Sequence, residues 1–449
     1  MRYLPHTPDE IRLMLERIGV SSLDDLFAAV PAELVAQPLA LEPALDEAAL
    51  MRHLEVLSDR SSSAHALSFL GGGMYDHHIP PAVDQLLLRS EFYTAYTPYQ
   101  AEVSQGTLQA IYEFQTLVCQ LFGMEVANAS MYDAASGCAE AVLMARRVTK
   151  RKHVVLSAGL HPHAIDTTRT YLGAVDDGAP HMDVAALAAD GRTDLAQVEA
   201  LLRDDTAALV VGYPTFLGTV EDLAALRRLA AARGALLVTS TTEPYALSTL
   251  KAPGDVGADI CVGEGQALAV PPQFGGPGVG LFACRQKFVR QMPGRLVGET
   301  VDQDGERGFV LTLSTREQHI RRERATSNIC TNHGLIALAM AIRTALLGKQ
   351  GFLHAGERCL RAAEYLKSEI AKLPGFSLPY AAPTFNEFVV RRDAGDAAEL
   401  LRALRAQGIE AGVSLGRFDP AWSQDFLVAT TEKHSRADLD RLVAGLAAA

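Results

Sequence analysis

The chain has 449 residues, of which 48% are apolar and 21% charged, with a formal net charge of −12. That length allows more than one globular unit and a large buried core, and the composition is ordinary for a globular protein. The acidic balance argues against nucleic acid as a partner, because neutralising phosphates needs clustered Lys and Arg.

Six cysteines (Cys119, Cys138, Cys261, Cys284, Cys330 and Cys359) are scattered without a C-x-x-C pair, which reads as reduced, mostly buried thiols. No apolar run reaches the length of a bilayer span. The opening residues have neither the apolar stretch of a secretory signal nor the Arg/Ser-rich character of a transit peptide. The expected location is cytoplasmic.

Along the chain, residues 1–65 favour helices. Thr7 is placed to cap a helix, Pro8 suits its first turn and Glu10 completes a capping box. Ile11, Met14, Leu15 and Ile18 then fall on one face. Ser22 is placed to start a second helix, with Asp25 at its third position. We read residues 1–65 as an N-terminal helical arm. From residue 66 the pattern changes. Residues 154–156, 207–211 and 235–238 are short apolar runs that read as buried strands, separated by amphipathic stretches such as residues 222–233. Strand and helix repeated in this way predict an α/β domain over residues 66–335, with a mostly parallel sheet covered on both faces. Residues 336–449 open with helix. Strand candidates at 387–390 and 425–429 then flank a helix at 397–406, a small C-terminal α+β domain. This three-part layout matches the aspartate-aminotransferase-like transferases of pyridoxal phosphate (PLP), fold type I, although other folds share such a layout.

Several local patterns invite readings of their own. Asp133-Ala-Ala-Ser-Gly137 opens a helical stretch at 138–147; it reads as a phosphate cradle or as a plain N-cap, with the cap favoured. Gly275-Gly-Pro-Gly-Val-Gly280 lacks the lysine of a P-loop and the strand-first context of a dinucleotide site, so tight turns explain it better. His77-His78 and His161-Pro-His163 have no cysteine or carboxylate at ligand spacing, and no metal is expected.

Four segments are more specific. They are Phe69-Leu-Gly-Gly-Gly-Met-Tyr-Asp76, Tyr96-Thr-Pro-Tyr-Gln-Ala-Glu-Val-Ser-Gln-Gly-Thr-Leu-Gln109, Gly263-Glu-Gly-Gln-Ala-Leu-Ala-Val-Pro-Pro-Gln-Phe-Gly-Gly-Pro-Gly-Val-Gly280 and Thr315-Arg-Glu-Gln-His-Ile-Arg-Arg-Glu-Arg-Ala-Thr-Ser-Asn-Ile-Cys-Thr331. Each resembles a hallmark segment of the glycine decarboxylase (P-protein) family of the glycine cleavage system. Members are either one chain with two homologous halves or two separate chains that pair like a dimer. This sequence resembles the N-terminal half, which as a separate chain is the alpha subunit. The resemblance implies a PLP-dependent reaction that releases CO2 from glycine and passes the remaining aminomethyl group to the lipoyl arm of the small H-protein. It also implies a homologous beta subunit, in an alpha2-beta2 assembly.

A PLP enzyme of this fold needs a lysine amine to bind the cofactor and a carboxylate beside its pyridinium nitrogen. By resemblance to the catalytic half, Thr241 falls where that carboxylate stands and Gln266 where the lysine stands. An amide nitrogen is not nucleophilic, so Gln266 cannot form the imine. The eight lysines (Lys150, Lys152, Lys251, Lys287, Lys349, Lys367, Lys372 and Lys433) lie in turn-like, helical or charged surroundings, and none closes a strand ahead of a glycine-rich turn. The expectation is that PLP is bound covalently by the beta partner rather than by this chain.

What remains is contribution across an interface. Tyr96, Tyr99 and Gln100 read either as contacts to the cofactor or lipoyl access region, or as a buried interface turn. Thr326, Ser327 and Asn328 read either as donors to the partner's PLP phosphate, or as turn and cap residues. Arg316, His319, Arg321 and Arg322 form a basic cluster. One of them is able to position an anion, but an ion pair with Glu317 or Glu323 is favoured; His319 fits a neutral, buried state. Two competing readings stand beside the alpha subunit: a self-sufficient PLP enzyme using an unexpected lysine, and a non-catalytic interaction protein.

Overall fold

The computed structural model describes residues 5–35, 40–61 and 66–448, which divide into two compact units, 1–64 and 65–449. The expected boundary at residue 65 falls in the undescribed segment 62–65. In the first unit, helix α1 (Pro8–Ile18) begins where the Glu10 backbone N–H donates to the Thr7 hydroxyl. The Glu10 carboxylate accepts from the Thr7 N–H at 2.6 Å in return. The helix ends at Gly19, where a φ of 88° suits a residue without Cβ. Of its apolar face only Leu15 is buried. The helix expected from Ser22 is instead a single 3-10 turn, Asp24–Phe27. The Asp25 carboxylate accepts from the Ser22 N–H at 2.8 Å and the Ser22 hydroxyl from the Asp25 N–H at 3.2 Å, so the reciprocal cap forms although a single turn follows it. Helix α2 (Glu47–Asp59) follows, capped by Asp46.

In the second unit, β1 (Leu67–Ser68), α3 (Pro81–Leu87), α4 (Ser90–Tyr93) and α5 (Gln105–Phe122) lead into an alternation. It runs β2 (Val126–Ala127), α6 (Ala134–Thr149), β3 (His153–Ser157), α7 (Pro162–Val175), β4 (Met182–Ala185), α8 (Leu195–Leu201), β5 (Thr206–Gly212), α9 (Leu223–Ala232), β6 (Leu236–Thr241), β7 (Ile260–Glu264) and β8 (Gly280–Cys284). These strands form a seven-stranded sheet in the order β2-β8-β7-β6-β5-β3-β4. Strands β3 to β7 are parallel, and β8 runs antiparallel to both of its neighbours, β7 and the edge strand β2. The apolar runs read from the sequence fall in or lead into β3, β5 and β6. Side chains alternate across a strand, so Leu209 and Val211 of β5 enter one core while Ala208 and Val210 enter the other. Burial on both faces is why these strands read as continuous apolar runs.

A hairpin of β9 (Leu296–Val301) and β10 (Arg307–Thr312) and the short α10 (Gln318–Arg321) precede α11 (Gly334–Ile370). Helix α11 is long and apolar enough to cross a membrane by length and composition alone, against the expectation of no such run. It is broken at Gly348 (φ 62°, ψ 174°), and Ala339, Met340, Cys359 and Leu366 on it pack into hydrophobic cores. Then come β11 (Phe376–Ser377), β12 (Glu387–Arg392), α12 (Ala397–Arg405), β13 (Ile409–Glu410), β14 (Val413–Ser414), β15 (Asp425–Ala429) and α13 (Arg436–Ala447). Strands β11, β12, β15 and β14 form an antiparallel sheet in that order, and β13 pairs in parallel with β1. Phe388, Val390, Phe426 and Val428 of this sheet meet Leu400 and Leu404 of α12 and Leu442 of α13 in one core. The turn after β6 and the residues beginning β12 meet at buried polar groups, and there the candidate site lies.

Candidate functional site

In an open, mostly parallel sheet the ligand crevice lies beyond the carboxyl ends of the strands. Here β6 ends at Thr241, fully buried, its hydroxyl without a hydrogen-bond partner among the described residues. Strand β7 ends at Glu264, and Gln266 opens a one-turn 3-10 helix, Gln266–Leu268. The Gln266 side chain is buried and donates through Nε2 to the Val270 carbonyl at 2.5 Å; its Oε1 has no hydrogen-bond partner among the described residues. The amide is thus folded onto its own turn.

Glu264 fills the neighbouring space. Its Oε1 accepts from the backbone N–H of Val279 at 2.8 Å and of Gln266 at 3.1 Å, and its Oε2 from that of Ala134, the first residue of α6, at 3.2 Å. Burial pushes this carboxyl up to about 7, against three N–H donors that favour its charge. Asp133 completes the closure: its side chain accepts from the Ser136 N–H at 2.7 Å, and the Ser136 hydroxyl answers the Asp133 N–H at 3.4 Å. The helix N-terminus that would favour an external anion is therefore served by two carboxylates of the chain itself. The glycine-rich turn makes room for this. A Cβ on Gly278 would stand 3.1 Å from Glu264 Oε1, and one on Gly280 2.6 Å from the Asp133 carbonyl.

Beyond Thr241 a second buried network occupies the crevice. His77 Nε2 lies 3.0 Å from Glu243 Oε2 and its Nδ1 2.5 Å from Glu432 Oε2, with the Tyr245 ring stacked on it at 4.1 Å. Burial opposes a charge on His77, but Glu243, Cys359 and Glu432 outweigh it and hold the imidazole well above its ordinary value. Burial likewise opposes charge on Glu432, yet its bond to His77 draws it down to about 2. Asn386 Nδ2 donates to Glu243 at 3.1 Å. Glu387, pushed up to about 7 by burial, accepts from Gly72 N–H at 2.6 Å and Tyr75 hydroxyl at 2.8 Å. The cavity left among Tyr75, Thr215, Thr242, Glu243, Asn386 and Glu387 is about 10 Å³, at most a water's space. His77, Cys359 and Glu432 have donor atoms within 4.8 Å of one another. Both His77 nitrogens already face carboxylates, so hydrogen bonding accounts for the cluster. His161, of the other histidine pair, bonds through Nε2 to the Gly72 carbonyl at 2.9 Å.

The residues singled out for an interface fall into two places. Tyr96 is 85% exposed and, with Phe92, Tyr93, Thr331 and Asn332, lines a cavity of about 250 Å³. Tyr99 is exposed in part; its hydroxyl accepts from Arg295 at 3.2 Å and its ring meets His319 edge-on at 5.5 Å. Gln100 is exposed and precedes a short 3-10 turn. Arg295 is the hub that sequence reasoning missed. It donates to the Cys330 carbonyl at 2.7 Å and Asn332 Oδ1 at 3.2 Å, and pairs with buried Glu317 at 3.6 Å. Arg316 is buried and donates to the carbonyls of Met292, Gly294 and Leu313, and the neighbouring Glu317 charge acts on it. One expectation is corrected here. His319 is not buried: its side chain is 38% exposed, 3.7 Å from Glu317. Arg322, Thr326, Ser327 and Asn328 lie elsewhere, lining a larger cavity beside α6.

Comparison with known proteins decides the family. The family model "Glycine cleavage system P-protein" matches residues 1–446. The chain belongs to the glycine cleavage system P-protein family. A relative from Sorangium cellulosum (strain So ce56), named probable glycine dehydrogenase (decarboxylating) subunit 1, is 59% identical over 100% of this chain and 99% of its own length. One of the same name from Desulforamulus reducens is 46% identical over the full length of both. The crystal structure of an inhibitor-bound glycine decarboxylase (P-protein) of the glycine cleavage system superposes with a TM-score of 0.90 at 43% identity, covering 100% of each chain. A sphingosine-1-phosphate lyase from Burkholderia pseudomallei, 15% identical, shares the fold at a TM-score of 0.67 over 92% of this chain and 93% of its own. The fold is that of PLP-dependent transferases of fold type I.

Set in that fold, this P-protein chain lacks a fit for PLP. Gln266, bonded to its own backbone, offers no amine; Thr241, at the end of β6, offers no carboxylate; the helix N-terminus is taken by Glu264 and Asp133. Seven of the eight lysines are exposed, and the eighth, Lys367, pairs with Glu364 at 2.8 Å. The plain N-cap reading of residues 133–137 was the right one, but the second carboxylate, Glu264, gave no local signal. It stands 130 positions from the N–H it meets.

Proposed function

We propose that the chain is the alpha subunit of a two-subunit glycine decarboxylase. In this reading it works with a homologous beta subunit that carries PLP on a lysine, in an alpha2-beta2 assembly located in the cytoplasm. Together they decarboxylate glycine and transfer the aminomethyl group to the lipoyl arm of H-protein. The carrying observation is the closed seat: an amide at the lysine position and the chain's own Glu264 at the helix N-terminus. The naming of the relatives as subunit 1 supports a second, complementary subunit.

In this reading the chain's own residues shape rather than react. The exposed Tyr96, Tyr99 and Gln100 loop, braced by Arg295, faces a partner, with Tyr96 over an apolar cavity suited to an aliphatic arm. Thr326, Ser327 and Asn328 supply hydroxyl and amide donors for an anion. The test is glycine–CO2 exchange by the chain alone, by a homologous lysine-bearing chain and by the mixture, with borohydride reduction and peptide mapping. The expected result is exchange only in the mixture and label only on the partner. Exchange by the isolated chain, or a labelled lysine within it, would overturn the proposal.

A further inference from the structure

A cavity of about 570 Å³ opens between the C-terminal half of α6 and residues 318–328. That is the size of a small-molecule site. In a chain of net charge −12 its lining carries Arg146, Arg147, Lys150, Arg151, Lys152 and Arg322 against only Glu140 and Glu323. Some of this charge is already matched. Arg146 grips Asp176 with two bonds of 3.0 and 2.7 Å, and Arg151 donates to the carbonyls of Thr206 and Arg233. The side chains of Lys150, Lys152 and Arg322 have no hydrogen-bond or ion-pair partner among the described residues. Arg147 spends one Nη on the Gln291 carbonyl and leaves its buried Nε unpaired. Cations gathered round one cavity repel each other unless an anion sits among them.

A second observation narrows the anion. Glu140 is fully buried in the lining, and among the described residues only Ser327 and Arg147 stand beside its carboxylate to offset that burial. A buried carboxyl with so few partners is costly, and it is relieved by a ligand able to share a proton with it. A purely cationic pocket takes any anion. One with a carboxyl in its wall disfavours sulfate, which carries no proton near neutral pH, and accepts phosphate or its monoesters, whose second ionisation lies close to neutral pH, near 6 for the monoesters.

We propose that this cavity binds a phosphate-bearing small anion, held by Lys150, Lys152 and Arg322, with Glu140 selecting for an oxygen that can be protonated. The phosphate is borne by a free metabolite or by the partner's cofactor; both sources share this chemistry.

The experiment is calorimetric titration of the full chain with inorganic phosphate and with sulfate, at matched ionic strength. Phosphate is expected to bind saturably, about tenfold or more tighter than sulfate, the scale of one hydrogen bond to a charged group. Lys150→Ala/Lys152→Ala, at two exposed positions that leave the fold intact, should weaken phosphate by a similar factor. Glu140→Gln should bring phosphate and sulfate to equal affinity. Titration is then repeated with the lysine-bearing partner present. Phosphate binding that persists assigns a free metabolite; binding blocked only by the cofactor-loaded partner assigns the cofactor. Loss with loaded and cofactor-free partner alike would mean an acidic protein surface fills the cavity, and overturns the proposal. So would equal binding of phosphate and sulfate by the unaltered chain, or no saturable binding. None of these outcomes bears on glycine–CO2 exchange, so the two proposals fail separately.

Discussion

Glu264→Gln tests the closed seat most directly. The folded chain holds this carboxyl at about 7 against an ordinary 4.5, mainly because it is buried. A carboxyl raised on folding favours the folded state most below its unfolded value, and that contribution is lost as pH rises through the folded one. The whole span corresponds to about 3 kcal/mol at 1.36 kcal/mol per pKa unit. Glutamine does not titrate. Its oxygen can still accept from Val279 and Gln266, but its NH2 then faces the Ala134 N–H, donor against donor, which costs about 1–2 kcal/mol at every pH. The variant should therefore be the less stable protein near pH 5, and the gap should close or reverse near pH 8, a relative change of about 2–3 kcal/mol. Urea unfolding of both proteins at the two pH values and one ionic strength gives this double difference. Glu387, also near 7, titrates in both proteins and cancels. A double difference under about 1 kcal/mol would refute the placement of a buried, titrating carboxylate on the α6 N-terminus.

Restoring the missing amine should not restore the chemistry. Gln266→Lys, incubated with PLP and reduced with borohydride, is expected to give no stoichiometric label, because Glu264 still occupies the helix end and Thr241 offers no ring carboxylate; full labelling would show that the seat is open. His77→Phe strands Glu243 and Glu432 in the interior and should cost about 3–5 kcal/mol in urea unfolding, as breaking a buried ion pair does. An unchanged midpoint would count against a charged His77. Tyr96→Ala, at a position 85% exposed, should shift stability by less than about 0.5 kcal/mol yet lower glycine–CO2 exchange in the mixture. Unaltered exchange would remove Tyr96 from the interface. Arg295→Ala takes the guanidinium partner from buried Glu317 and frees Tyr99 and the Cys330 carbonyl, and should lower both stability and exchange.

What could be read from the chain was what a few neighbouring residues settle among themselves. The Thr7–Glu10 capping box, the buried strands at β3, β5 and β6, the α12 helix and the absence of an amine at Gln266 are all local facts. Even there, the cap expected at Ser22 and Asp25 formed but led into only one 3-10 turn. The site itself was decided by tertiary contact. Glu264 reaches an N–H 130 positions away, His77 joins Glu243 and Glu432 at 166 and 355, and Arg295 draws Tyr99, Glu317 and Asn332 together. A carboxylate in the sequence carries no sign of whether it will face water or a helix end. Only the folded chain, by removing water and setting distances, gives it a partner and a charge state.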